Sequence, residues 1–173
     1  MTIHIVLYQP EIPQNTGNIM RTCAGTNTKL HLIRPLGFSL DEKHLKRAAM
    51  DYYQFVNFKE YDDYQSFLEQ NNPKHLYFLT RYGQKNHTEM NYNVDEDVYF
   101  VFGRESSGIP KAILKEHLDT CLRIPMNGHV RSLNLSNCAA ILVYEALRQQ
   151  GFPELLQEEP DFFKGKDWLL QDE

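Results

Sequence analysis

The sequence predicts an α/β fold with a mainly parallel sheet flanked by helices. Short apolar runs rich in β-branched and aromatic residues recur along it, segments with helical signals separate them, and the two kinds alternate. The first strand is expected at Ile3 to Tyr8, followed by a helix over Asn18 to Gly25 and a strand at Leu30 to Ile33. A helix over Asp41 to Met50, with Leu45 and Ala48/Ala49 at helical spacing, and another over Tyr61 to Gln70 lead to a strand at Leu76 to Leu79. Strands at Val98 to Phe102 and Cys121 to Ile124 bracket a helix over Pro110 to His117. The last helix, Leu135 to Gln150, is the clearest: Ile141, Leu142, Tyr144, Glu145 and Leu147 continue an apolar face from Ala139 and Ala140, which Gly151 and Pro153 stop.

A length of 173 residues suits one domain with its own core, and 42% hydrophobic with 24% charged residues excludes a disordered or fibrous chain. Cys23, Cys121 and Cys138 are odd in number, form no C-x-x-C pair and sit among apolar neighbours, so they read as reduced core residues. The first residues lack a basic, long apolar leader, and the longest apolar run is too short for a bilayer, so a cytoplasmic protein without membrane contact is expected. The tail after Gly151 interleaves acidic residues with Phe162, Phe163, Trp168, Leu169 and Leu170; it is expected to lie as an apolar strip on the body, with an interaction peptide as the alternative.

Familiar nucleotide signatures fail. There is no G-x-G-x-x-G, and Gly103 to Gly108 has P-loop glycine spacing but Ile109-Pro110 where Lys and Ser/Thr are needed. No G-x-S-x-G elbow occurs, and the His and Cys positions show no metal spacing, so no metal is expected. Three polar clusters remain, each at or beyond the C-terminal end of an expected strand, where open α/β sheets hold ligands. The first runs from Pro10 to Thr22 and carries Asn15, Asn18 and Arg21; Arg21 suits a phosphate, while Asn15 or Thr16 could simply cap a helix. The second, Phe102 to Pro110, offers Gly103 for close backbone approach and Glu105 as an acceptor, or else only a turn into a helix. The third, Arg123 to Asn137, places Ser132, Asn134, Ser136 and Asn137 before the last helix, more small polar groups than one cap needs.

These residues carry a resemblance. N-T-G-N-I-x-R-T at Asn15 to Thr22, F-G-x-E-x-x-G-I-P at Phe102 to Pro110, and R-I-P-M…S-L-N-L-S-N with V-Y-E-A at Arg123 to Ala146 resemble the three motifs of the SPOUT superfamily. Within it the chain is most similar to the TrmL-type tRNA ribose 2'-O-methyltransferases that act at the wobble nucleotide, over roughly residues 1 to 153. The resemblance implies a C-terminal trefoil knot, a homodimer with sites drawn from both subunits, S-adenosylmethionine as methyl donor and the tRNA anticodon stem-loop as partner. It further implies cytidine or modified uridine of leucine tRNAs as the target, and a domain over 1–153 followed by a tail over 154–173. Carried over by motif, Leu79, Gly103, Ile124, Ser132 and Leu133 are the expected cofactor contacts. Arg21, Asn15, Glu105, Ser132 and Asn134 are the expected catalytic set. Arg21 is either base or positioning group in such enzymes; a guanidinium stays protonated near neutrality, which favours positioning. A non-catalytic RNA-binding module on the same scaffold is the alternative function.

The net charge of -5 argues against binding RNA by bulk charge, but it is unevenly spread. Residues 1–50 and 101–150, which carry the motifs, have net charges of +3 and +2, whereas 51–100 and 151–173 have -5 each. Arg21, Arg34, Lys43, Lys46, Arg47 and Arg131 are the expected phosphate-facing cations.

Overall fold

A computed structural model describes residues 1–41 and 50–171. The helix expected over Asp41 to Met50 falls, but for its end residues, outside them, as do Lys43, Lys46 and Arg47. The described elements are β1 (Ile3–Tyr8), α1 (Pro13–Thr26), β2 (Lys29–Ile33), β3 (Phe58–Tyr61), α2 (Tyr64–Asn71), β4 (His75–Leu79), β5 (Lys85–Asn86), β6 (Val98–Phe102), α3 (Lys111–Glu116), β7 (Cys121–Arg123) and α4 (Leu135–Gln150), with short 3-10 turns at Met50–Phe55, Leu118–Thr120 and Lys166–Leu170.

All strand pairs are parallel, in the order β3-β2-β1-β6-β4-β7-β5. The chain leaves β1 toward one edge and β6 toward the other, so the sheet has its switch point between these neighbours, and their carboxyl ends open a crevice. Both faces of the sheet are covered, which is why the strands read as continuous apolar runs. Ile3, Ile5, Leu7, Val98, Phe100 and Phe102 face a core shared with Ile19, Met20 and Cys23 of α1 and Leu142, Val143 and Ala146 of α4. Val6, Tyr99 and Val101 point the other way, to Phe67 and Leu68 of α2 and Ile113 and Leu114 of α3. Each fully buried aliphatic or aromatic side chain contributes about 1.5–3 kcal/mol by leaving water.

Two strands escape the sequence pattern. β3 is an edge strand whose FKEY carries two charges, and β5 has two residues. Tyr61, expected to open a helix, ends β3 instead, and α2 begins at Tyr64 because the Asp63 carboxylate accepts from the Ser66 N–H at 2.7 Å. α1 starts earlier than Asn18, with Pro13 at its first turn, where a missing N–H costs nothing.

A buried polar chain crosses the α2 side of the sheet. Burial pushes the Asp97 carboxyl up, yet the Thr2 N–H and His4 hold it below the ordinary carboxylate range, so it only accepts. It accepts from the His4 Nε2–H at 3.1 Å; His4 Nδ1 then accepts from His31 Nε2 at 2.7 Å, and His31 Nδ1 accepts from the Tyr61 hydroxyl at 2.8 Å. Burial holds His4 down to about 4 and His31 to about 3, so both rings are neutral.

The connection from β4 to β6, residues 80–97, is bonded to both β7 and α4. Thr80 N–H donates to Leu122 O and His87 N–H to Arg123 O at 3.0 Å each, while Tyr92 N–H reaches Gln149 Oε1 of α4 at 2.8 Å. The three cysteines are buried and unpaired by disulfide. The tail departs from expectation: Phe162, Phe163, Leu169 and Leu170 are 70–83% exposed. Pro160 O accepts from the Phe163 and Gly165 N–H groups, so the segment folds on itself with its apolar side chains outward.

Candidate active site

The crevice at the strand ends holds a cavity of about 620 Å³, built from the segments after β1, β4, β6 and β7. Asn15, Leu79, Gly103, Glu105, Ile124, Ser132, Leu133 and Asn134 all line it. Arg21 does not. It lies with Asn18, Thr22, Asn137 and Tyr144 along a second groove of about 340 Å³ between α1 and α4, its guanidinium 5.1 Å from the Tyr52 ring centroid.

The polar lining is one connected structure. α1 has Ile12 at its N-cap and no side-chain cap of its own. Glu105, from the loop after β6, supplies the anion: Oε2 accepts from the Glu11 N–H at 2.8 Å, and Oε1 accepts from the Ile12 N–H at 3.2 Å and Asn15 Nδ2 at 3.1 Å. Asn15 is therefore no cap, although its sequence position allows one; it is buried within α1 with its amide aimed at the other two loops. Its Oδ1 accepts from Asn134 Nδ2 at 3.0 Å, and Asn134 Oδ1 accepts from the Ser136 N–H at 2.9 Å, capping α4. These bonds fix both amide orientations, since each oxygen faces a donor and each nitrogen an acceptor.

A second carboxylate answers the first. Glu11 accepts from the Ser106 N–H and hydroxyl, both at 2.9 Å, and these bonds, with Arg104 nearby, hold its carboxyl below the ordinary range. Glu11 and Glu105 thus cross-brace the loops after β1 and β6. The second loop is closed by reciprocal backbone bonds between Arg104 and Gly108. Gly103 is required there: a Cβ would lie 2.2 Å from the Gly108 carbonyl carbon.

Apolar Leu79, Ile124 and Leu133 share the cavity with Glu105, Ser132 and Asn134. That mixture fits a ligand with a flat heterocycle at one end and a charged amino-acid group at the other, as S-adenosylmethionine has. Arg81, Arg104, Arg123 and Arg131 also line the cavity, an electropositive surround suited to phosphate. Of the charged and aromatic groups here, sequence reasoning picks out Glu105 and Arg131 but misses Glu11, Arg81, Tyr82 and Arg104. The segment after β4 has no motif, yet its address at a strand end is a signal in itself. Among the described residues, no group of three His, Cys, Asp or Glu is placed to hold a metal, and no helix is long and apolar enough to cross a membrane.

Fold and site define a parallel-sheet α/β protein with a cavity at the switch point of its sheet, where such folds hold their ligands, walled by segments bound together through carboxylate and amide bridges. The chain belongs to the SpoU rRNA methylase family, whose model matches residues 2–144. It is 59% identical over 156 residues to a Bacillus subtilis (strain 168) protein provisionally named a tRNA (cytidine(34)-2'-O)-methyltransferase, covering 90% of this chain and 98% of that one. It is 47% identical over 152 residues to the Escherichia coli (strain K12) tRNA (cytidine(34)-2'-O)-methyltransferase, 87% and 96% of the two chains. A solved structure concerned with 2-OH methylation of C/U34 on tRNA superposes with a TM-score of 0.81 at 42% identity, covering 87% of this chain and 97% of the other.

Proposed function

We propose that this protein transfers a methyl group from S-adenosylmethionine to the ribose 2'-hydroxyl of the wobble nucleotide, cytidine or modified uridine, in tRNA. One observation carries the reading: three sequence-distant loops meet in a single cavity, joined through Asn134, Asn15 and Glu105. The B. subtilis and E. coli relatives, matched over nearly their whole lengths, support the same reaction and nucleotide. Leucine isoacceptors are the substrates the sequence resemblance implies.

Leu79, Gly103, Ile124, Ser132 and Leu133 would hold the methyl donor. When bound, S-adenosylmethionine would supply an electrophilic sulfonium methyl: the 2'-oxygen would bond to that carbon as its bond to sulfur breaks, S-adenosylhomocysteine would leave, and the hydroxyl proton would pass to solvent. The chain's task is chiefly to hold two partners in line, which can account for much of such an acceleration. Ser132 and Asn134, at the cavity wall, orient the incoming ribose and the donor's polar end. Asn15 and Glu105 act through Asn134 as positioning residues, since Glu105 holds the Asn15 amide and Asn15 in turn holds that of Asn134. Arg21 clamps the substrate phosphate.

Arg21 can serve a cavity it does not line if a second copy brings it there. The α1–α4 face, with Arg21 and the half-exposed Tyr144 on its groove, is the surface we assign to a homodimer. The trefoil knot, in the C-terminal half of a methyltransferase domain over 1–153 with 154–173 as a separate tail, is what the sequence resemblance implies, and the bonding of residues 80–97 to both β7 and α4 is compatible with it. A reaction on tRNA supports a cytoplasmic location.

The test is to incubate purified protein with S-adenosylmethionine and wobble-unmodified tRNA, then digest and weigh the nucleosides. A 2'-O-methylated wobble nucleoside, lost in Arg21→Ala, is expected. No methylation of any such tRNA overturns the reading.

A further inference from the structure

We infer that Tyr82 is a stacking platform for the base of the nucleotide whose ribose enters the cavity, an inference that rests on the methyl-transfer reading above. Tyr82 lines the cavity yet is 70% exposed, in a turn that carries none of the three motifs. An aromatic ring held in water loses the burial that normally stabilises it, so its presentation calls for a partner.

The backbone beneath the ring is held in place. Thr80 N–H donates to Leu122 O at 3.0 Å and Gly83 N–H returns to Thr80 O at 3.2 Å. The Tyr82 N–H donates to Thr80 Oγ1 at 3.3 Å, and the Arg123 guanidinium donates to Arg81 O at 2.6 Å. The turn is pressed onto β7 so closely that a Cβ on Gly83 would lie 2.4 Å from the Leu122 carbonyl carbon. Strand β7 and the turn therefore fix where the Tyr82 backbone stands, and little ordering is left to be done on binding.

The ring's chemistry suits an RNA base. The Arg81 guanidinium lies 4.8 Å from the Tyr82 centroid, an arrangement of aromatic plane and cation that accepts a splayed base and its phosphate together. A 2'-hydroxyl in a hairpin loop reaches a cavity only when its nucleotide leaves the loop stack, and an aromatic face beside the cavity replaces the stacking that is lost. Every base has a π-face, so Tyr82 holds position without choosing identity. It serves cytidine and uridine alike.

The test uses an anticodon stem-loop with pyrrolocytidine, a fluorescent cytidine analogue quenched by stacking, at the wobble position, together with unlabelled cytidine and uridine versions for kinetics. Wild type, Tyr82→Phe and Tyr82→Trp are expected to quench it. Tyr82→Ala is expected to leave it bright and to raise the stem-loop KM about tenfold, equally for cytidine and uridine. Calorimetric affinity for S-adenosylmethionine should stay within about twofold, showing that the cavity is intact. Tyr82→Ala with wild-type KM and quenching, while the wild type methylates, overturns this inference alone. A wild type that methylates no stem-loop overturns the function proposed above and this inference with it.

Discussion

Asn134 Nδ2 donates to Asn15 Oδ1 at 3.0 Å across 119 positions of sequence, and the same Asn134 caps α4 through its Oδ1. One side chain thus starts a helix and joins two loops of the site, and its two ends can be separated by substitution.

Asn134→Asp keeps an acceptor for the Ser136 N–H but sets a carboxylate against the Asn15 oxygen, where a donor stood. Losing that bond at the buried Asn15 should lower stability by about 1–3 kcal/mol while kcat/KM for tRNA falls more than tenfold. Asn134→Ala loses both roles, and its melting temperature should drop by a further increment equivalent to about 1 kcal/mol. Calorimetric melting and single-turnover methylation of the pair check this.

The cross-brace from Glu11 to Ser106 gives a second expectation. Because its folded-state carboxyl is held low, its stabilising effect is present above the ordinary carboxylate value and is lost as pH falls through the depressed one. Glu11→Gln presents an amide to a Ser106 N–H and hydroxyl that now donate to charge, loosening the cavity rim. The KM for S-adenosylmethionine should rise about threefold to tenfold, with kcat little changed, in steady-state assays near neutral pH.

His4 and His31 set the acid limit of the fold. Both titrate lower in the folded chain than in the unfolded one, so below the ordinary histidine value of about 6.5 the unfolded state binds more protons and stability falls with pH. At about 1.4 kcal/mol per pKa unit, His4 alone removes about 3 kcal/mol between pH 6.5 and 4; the facing rings titrate as a pair, so the two losses do not simply add. Urea unfolding midpoints measured across that range should fall. His31→Gln, less stable at pH 7, should show a flatter profile.

Arg21 provides a test of assembly. If one subunit's Arg21 serves the other's cavity, a dimer of one Arg21→Ala and one Asn15→Ala chain retains one intact site. Co-expressed, randomly paired subunits should then show about a quarter of wild-type methylation although each variant alone is inactive. A mixture as inactive as its parents places Arg21 in its own chain's reaction.

The alternation of strands and helices was legible because parallel strands buried on both faces are continuous apolar runs, as IHIVLY and VYFVF show. β3 and β5 were not, since Lys59 and Glu60 break the pattern of one and the other is too short to have any. Cavity-lining residues were legible wherever small polar groups cluster after a strand, which covered Asn15, Glu105 and Asn134. Their pairing was not: nothing local to Glu105 announces that it accepts from the amides that open α1. Arg21 was legible as a residue but not as a location, because its separation from the cavity emerges only when α1 packs beside α4. Tyr82 was hidden because its setting depends on a turn pressed against a strand some forty residues later in the chain.

The three buried cysteines give the molecule a built-in reporter of its own opening. Burial pushes all three thiols up, so thiolate, the reactive form, is suppressed while the chain is folded. They sit at different depths of the architecture: Cys23 on α1, Cys121 at the start of β7, Cys138 in the first turn of α4. Alkylation at each position therefore times the exposure of a different element, and an added surface cysteine would accept a dye against a silent background.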